Sequence, residues 1–278
     1  MKKFIGWLFL SALTWHSASY AASTSFVFVS DSGQGDKNQK RTAQGIEKYC
    51  QSGSCQFLAS MGDNFDSGVK SVDDVQFKTR FEDVYKNLDF PFYMALGNHD
   101  YRGNIQAEID YTDRSQKWKM PARYYSYSSS DASFFVLDTN NLDDAQLQWL
   151  DDGLAAQDKT WKIVYGHHPV YSNGLLHGDT KELINKLLPI MQRHQVNFYL
   201  SGHDHDKEVI SRSGMMFVVC GTGSQTRFFL RSTRSSLFAK ASLGFCAMEL
   251  SSQQAKLTIL DDAAQVEYST VIKAPAAQ

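Results

Sequence analysis

Five short segments of this 278-residue chain carry side chains able to hold metal ions and support hydrolysis. They are Ser30-Asp31-Ser32-Gly33, Gly62-Asp63-Asn64, Gly97-Asn98-His99-Asp100, Gly166-His167-His168-Pro169 and Gly202-His203-Asp204-His205. Hard carboxylate oxygens mixed with imidazoles suit Fe, Mn or Zn, and one Asp can bridge two such ions about 3.5–4 Å apart. Taken singly, each piece is ordinary, because an Asp after a strand is commonly a turn former or helix cap. Their concentration predicts a dinuclear metal site, since beyond His16 most histidines fall in these segments or in the Gly-bearing loop at His177.

The elements before each segment explain how they could meet. Apolar runs of strand length precede all five: Phe26–Val29, Phe57–Met61, Phe92–Leu96, Lys162–Tyr165 and Asn197–Leu200, with a further strand at Phe134–Leu137. Helical patterns at Gln39–Tyr49, Asp74–Leu88, Asp144–Gln157 and Thr180–His194 alternate with them. This is βαβ order, an α/β fold whose strands present their carboxyl ends to a ligand crevice. After His205 come consecutive strands at Val209–Ser211, Met216–Cys220, Gly244–Leu250, Ala255–Leu260 and Val266–Val271, expected to form a second, mainly antiparallel sheet packed on the first. No linker or repeat interrupts residues 22–278, so one domain is expected there.

Composition bounds the rest. The chain is 42% hydrophobic, enough for a sizeable core, and its formal net charge of −2 offers no footprint for nucleic acid as a main partner. Met1-Lys2-Lys3, the apolar run Phe4–Leu13 and Ser19-Tyr20-Ala21 read as a bacterial signal peptide over residues 1–21. The run is too short to span a bilayer, so a periplasmic or secreted protein with no membrane partner after cleavage is expected. In an oxidising compartment Cys50 and Cys55 are placed for a local disulfide, whereas Cys220 and Cys246 are read equally as buried thiols or as a bridge.

Through these five ordered blocks, from about Phe26 to the last strands, the chain resembles the calcineurin-like metallophosphoesterases, and within them the small tartrate-resistant type of purple acid phosphatase. The resemblance implies a four-layer αββα sandwich of two mixed sheets with the dinuclear site at strand carboxyl ends. Carried over by position, it implies that Asp31 and His205 hold one metal, Asp63 bridges, and Asn98, His167 and His203 hold the other. The metals implied are Fe with Fe, Zn or Mn. His99 then binds phosphoryl oxygens, His177 stands near the leaving group, and His168 takes a supporting place by hydrogen bonding or packing.

Three departures accompany the resemblance. The purple members carry a Tyr three residues after the bridging Asp, where this chain has Asp66, a candidate for replacing the ligand or for leaving that position to water. The segment from Asp138-Thr139 to Asp144 is short where relatives have a loop over the site, and no cysteine stands beside His177 to tether one, which implies an open site needing no proteolytic activation. The expected function is an exported monomeric acid phosphatase that hydrolyses small phosphate monoesters by in-line attack of metal-activated water. A phosphodiesterase or nucleotidase on the same core and a catalytically silent binding protein are the alternatives. The basic segment of Arg227, Arg231, Arg234 and Lys240 is read either as attracting anionic substrates or as a solvated loop.

Overall fold

The computed structural model describes residues 24–53, 55–227 and 236–275. The signal peptide expected over residues 1–21, with Arg231 and Arg234, lies outside them. The chain runs through β1 (Thr24–Val29), α1 (Lys37–Ser52), β2 (Phe57–Ser60), β3 (Phe92–Met94), α2 (Ile105–Asp110), β4 (Trp118–Lys119), β5 (Tyr125–Ser128) and β6 (Ala132–Val136). It continues through α3 (Asp144–Ala155), β7 (Trp161–Tyr165), α4 (Leu188–Arg193), β8 (Phe198–Ser201), β9 (Lys207–Arg212) and β10 (Met215–Cys220). The described part ends in β11 (Phe238–Lys240), β12 (Gly244–Leu250), β13 (Gln254–Asp261) and β14 (Val266–Lys273).

These strands form two mixed sheets of seven, ordered β14-β13-β12-β1-β2-β3-β4 and β11-β9-β10-β8-β7-β6-β5. The expectation of one separate antiparallel sheet after His205 is thereby corrected. The late strands divide, β9–β11 extending the second sheet and β12–β14 the first. The reason is edge chemistry: without the late strands β1 and β8 would be sheet edges with unpaired backbone groups, which β12, antiparallel to β1, and β10, parallel to β8, satisfy.

Aromatic side chains cement the sheets face to face. Phe134 of β6 meets Phe26 of β1 and Phe57 of β2 edge-on, each at 5.3 Å between ring centres, and all three are buried. Each such burial contributes roughly 1.5–3 kcal/mol. Outside, α1 sets Tyr49 against Phe245 of β12, while Leu150, Leu154, Leu187 and Met191 cover the second sheet around Phe135 and Val164. The layers are therefore those of an αββα sandwich.

Local chemistry explains the helix boundaries. Asp36 caps α1 by accepting from the Asn38 and Gln39 amides, and Asp143 caps α3 through the Gln146 amide. The helix expected at Asp74–Leu88 begins there, Asp74 capping it through the Gln76 amide, but its body is a wide π-type turn, Phe77–Glu82, and residues 83–88 go on as turns. Its apolar spacing still buries Phe77, Phe81, Tyr85 and Leu88 in the core. Thr180–His194 is similarly a π-type turn, Leu183–Leu187, running into α4. Both cysteine pairs are closed: Cys50 in the last turn of α1 with Cys55 just beyond it, and Cys220–Cys246, which joins β10 of one sheet to β12 of the other.

Candidate metal centre

Parallel registry brings the five segments level. Val29 lies opposite Ser60 and Ser60 opposite Met94 in the first sheet; Tyr165 lies opposite Leu200 and Ser201 opposite Val219 in the second. Every residue expected to hold a metal therefore leaves from the same edge, Asp31, Asp63 and Asn98 from one sheet and His167, His203 and His205 from the other.

The backbone is held there against its preference. Asp31, Asp63 and His203 adopt φ of 57°, 52° and 68°, left-handed conformations that cost L-residues on the order of 1–3 kcal/mol. Two glycines permit the close approach that this requires. A Cβ on Gly97 would sit 2.2 Å from Asp63 Oδ1, and one on Gly202 would sit 2.5 Å from Asp31 Oδ2.

Asp31, Asp63 and His167, all buried, place potential ligand atoms within 4.8 Å of one another. Around them the His205 Nε2 lies 3.2 Å from Asp31 Oδ1, and the His203 amide donates to Asp31 Oδ2 at 3.0 Å. His167 donates its Nδ1–H to the Met61 carbonyl at 2.9 Å, which fixes its tautomer and turns the Nε2 lone pair inward. That Nε2 stands 2.9 Å from Asn98 Oδ1, 3.1 Å from His203 Nδ1 and 3.4 Å from Asp63 Oδ1. A metal is held by neutral imidazoles, and with the rings in that form this knot of lone pairs lacks positive charge, so the donor set fits a cation. Buried His205 Nδ1 also finds no hydrogen-bond partner among the described residues.

The charges respond accordingly. Burial pushes the Asp31 carboxyl up, but hydrogen bonding from His205 and the fields of His167 and His205 carry it net below the usual range. Burial leaves Asp63 raised, its field from Asp31 adding to the effect. His203 is driven down to about 2 by burial and by neighbouring His167, His168 and His177, keeping a ring lone pair free.

The remaining expected residues surround this group. His99 donates its backbone N–H to Asp63 Oδ1 at 2.8 Å. Its ring Nδ1 lies 2.8 Å from the Asp66 carbonyl and 2.9 Å from Asp66 Oδ1, while Nε2 lies 3.8 Å from Asp63 Oδ2. Asp66 also lines the cavity shared by Asp31, Asp63, His99 and His205. His177 stacks on His203 with ring centres 3.9 Å apart, and its Nε2 meets Arg227 Nη1 at 3.3 Å. Its pKa is lowered by burial and by Arg227, against the opposing pull of Asp204. His168 bonds Thr139 Oγ1 at 2.8 Å and packs beside His167 and His203.

Sequence reasoning missed a buried bracket beneath the site. Asp100 accepts from the amides of Asn64, Phe65 and Gly97, while the Asn64 side chain donates to Ala95 O, Asp100 Oδ2 and Glu108 Oε2. Burial raises Asp100 to about 7, helped by the Asp63 charge, and burial with the Asp100 field pushes Glu108 well above its ordinary value. Asp100 was visible inside the Gly97-Asn98-His99-Asp100 block; Glu108 had no spacing to mark it.

Fold and site together define a metallophosphoesterase, and the family model for calcineurin-like phosphoesterases matches residues 24–207. The chain belongs to that family and is a hydrolase of phosphate esters. It is 34% identical to purple acid phosphatase 4 of Arabidopsis thaliana, with 76% of this chain and 71% of the relative covered. It is 32% identical to tartrate-resistant acid phosphatase type 5 of Sus scrofa, covering 77% and 74%. Among solved structures, GAP50, described as the anchor in the inner membrane complex of Plasmodium, superposes with a TM-score of 0.85 at 28% identity, covering 91% of this chain and 90% of that one. A purple acid phosphatase from yellow lupin seeds shares the fold with a TM-score of 0.71 at 17% identity, covering 91% and 54%.

Proposed function

We propose that the protein is an exported dinuclear acid phosphatase acting on small phosphate monoesters. The observation that carries this reading is the cluster of lone pairs at Asp31, Asp63, Asn98, His167, His203 and His205, drawn from two sheets onto one edge. Asp31 and His205 would hold one metal, Asp63 would bridge, and Asn98, His167 and His203 would hold the second, as Fe with Fe, Zn or Mn. When bound, such a pair supplies Lewis-acid binding of phosphoryl oxygens and lowers the pKa of water.

The chain's own groups do the rest. His99, held at Nδ1 by Asp66, turns Nε2 toward the reacting phosphoryl group, and with a proton on that nitrogen in place of the Arg102 contact it stabilises the growing charge. His177 gives a proton to the departing alkoxide. Its depressed pKa makes that donor available only at acid pH, which favours acid activity. Met61 O keeps His167 in the tautomer that offers Nε2, and Thr139 holds His168 clear of the reaction as a packing partner.

Export rests on the amino-terminal sequence; among the described residues no helix is long and apolar enough to cross a membrane. A second reading, a silent anchor, is favoured by the likeness to GAP50. Metal analysis of the purified protein, with p-nitrophenyl phosphate and its bis-ester assayed across pH, decides among these. The phosphatase reading expects two metals per chain, monoester turnover greatest at acid pH and little diesterase. Two metals with both assays flat would establish the anchor instead.

A further inference from the structure

Two arginines stand just outside the candidate metal centre, each against a histidine. Arg102 Nη2 donates toward His99 Nε2 at 2.9 Å, and its Nη1 donates to the Asp66 carbonyl at 3.1 Å. Arg227 Nη1 faces His177 Nε2 at 3.3 Å, its backbone N–H held by the His205 carbonyl at 2.8 Å. They come from unrelated segments, the turn after β3 and the loop after β10, yet each guanidinium is one imidazole away from an expected ligand, Asp63 or His203. Among the described residues neither makes an ion pair with a carboxylate, whereas Arg41, Arg123 and Arg193 each do.

A guanidinium has five N–H donors, is always charged, and is suited to phosphate geometry. Here its side-chain partners among the described residues are uncharged, a ring nitrogen or a carbonyl, and Arg102 is exposed. The described stretch beside Arg227 also gives the cavity Ser224 and Gln225, polar groups on the same side as His99 and Asp66. The reacting phosphoryl group is already matched to the metals and His99. These two cations lie one ring farther out, beyond His99 and His177, and the reading that sets His177 beside the departing oxygen puts Arg227 on the leaving-group side.

We propose that Arg102 and Arg227 form an anion subsite beyond the reacting phosphoryl group, so that the enzyme selects phosphate esters whose leaving group carries a second phosphate. The proposal rests on the phosphatase reading above. In the reaction water oxygen bonds to phosphorus, the ester P–O bond breaks, and the departing oxygen takes a proton, so the second phosphate is bound but not altered.

The test compares glucose 1,6-bisphosphate with glucose 6-phosphate, substrates that differ by the second phosphate, using metal-loaded protein. Wild type should favour the bisphosphate in kcat/KM by about tenfold or more, the scale of a charge-assisted hydrogen bond. The preference should shrink as salt screens it. In Arg102→Gln/Arg227→Gln the ratio should collapse toward one, whatever the loss on glucose 6-phosphate itself. A ratio near one in wild type, or a preference unaltered in the double variant, would overturn the subsite while leaving the phosphatase reading standing. Failure of fully metal-loaded wild type to turn over either sugar phosphate or p-nitrophenyl phosphate would overturn both.

Discussion

Asp66 Oδ1 lies 2.9 Å from His99 Nδ1, so the residue that stands where purple relatives place a tyrosine is engaged with a histidine of the site. The carboxylate and its own carbonyl both face that nitrogen, which sets the ring's tautomer and aims Nε2 at Asp63. A phenol at position 66 would keep the backbone contact but not the carboxylate's.

Removing the Asp66 carboxylate should therefore disturb His99 before it disturbs metal. Asp66→Ala is expected to lower kcat by about 10- to 100-fold, the usual cost of losing an orienting partner. Asp66→Asn, whose amide oxygen still accepts from Nδ1–H, should recover part of that loss. Metal stoichiometry measured on both variants should equal that of wild type; a lost equivalent would make Asp66 a ligand.

Asp63→Asn and His203→Ala strike the metal group itself. Lewis-acid stabilisation worth several kcal/mol corresponds to about a thousandfold or more in rate, and both variants should fall by that order. Circular dichroism should show the fold intact, since neither side chain belongs to the aromatic seam between the sheets. Near-normal turnover with full metal loading in either variant would show the ligand assignment to be wrong.

His177 can act as a donor only while protonated, and burial together with Arg227 lowers its pKa. Rates on alkyl phosphates should accordingly fall as pH rises through that depressed value. Aryl phosphates, whose leaving groups scarcely need a proton, should respond less. His177→Ala should slow alkyl substrates more and flatten their acid limb; equal losses on both classes would make the residue a positioning group.

Glu108 offers a stability test. Its carboxyl is fully buried, Oε1 lacks a hydrogen-bond partner among the described residues, and burial with the Asp100 field raises its pKa. A raised folded-state value means that the neutral form is favoured, so its contribution is full below the unfolded value near 4.5 and declines as pH climbs toward the folded one. Glu108→Gln stays neutral and can still accept from Asn64. Its melting temperature should fall less than that of wild type between pH 5 and pH 8, roughly 1–3 kcal/mol being recovered at the upper end. Parallel curves for the two proteins would rule out this assignment.

What could be read from residues alone, and what could not, follows from locality. Asp31, Asp63, His99, His167 and His203 each follow an apolar strand by a few residues, so strand order already placed them on one edge. The partner of Cys220, the split of the late strands and the contact between Asp66 and His99 depend on which edges meet in space. No periodicity records that choice. The Asp74–Leu88 reading kept its start and its buried face but not its length or pitch, because the apolar repeat of Phe77, Phe81, Tyr85 and Leu88 says which side is buried and not how tightly the backbone winds.

The pairing of β1 with β12 sets a timetable for the newborn chain. By the time residue 205 has been made, every expected metal-holding side chain exists, yet the strand that carries Asp31 still lacks its neighbour Gly244–Leu250. Nor has the Cys220–Cys246 link between the sheets closed. A complete site thus needs strands that follow its last expected ligand in the sequence. A chain threaded across a membrane in extended form would reach the far side before it had a site to fill, and would draw its metals from the compartment where it finishes folding.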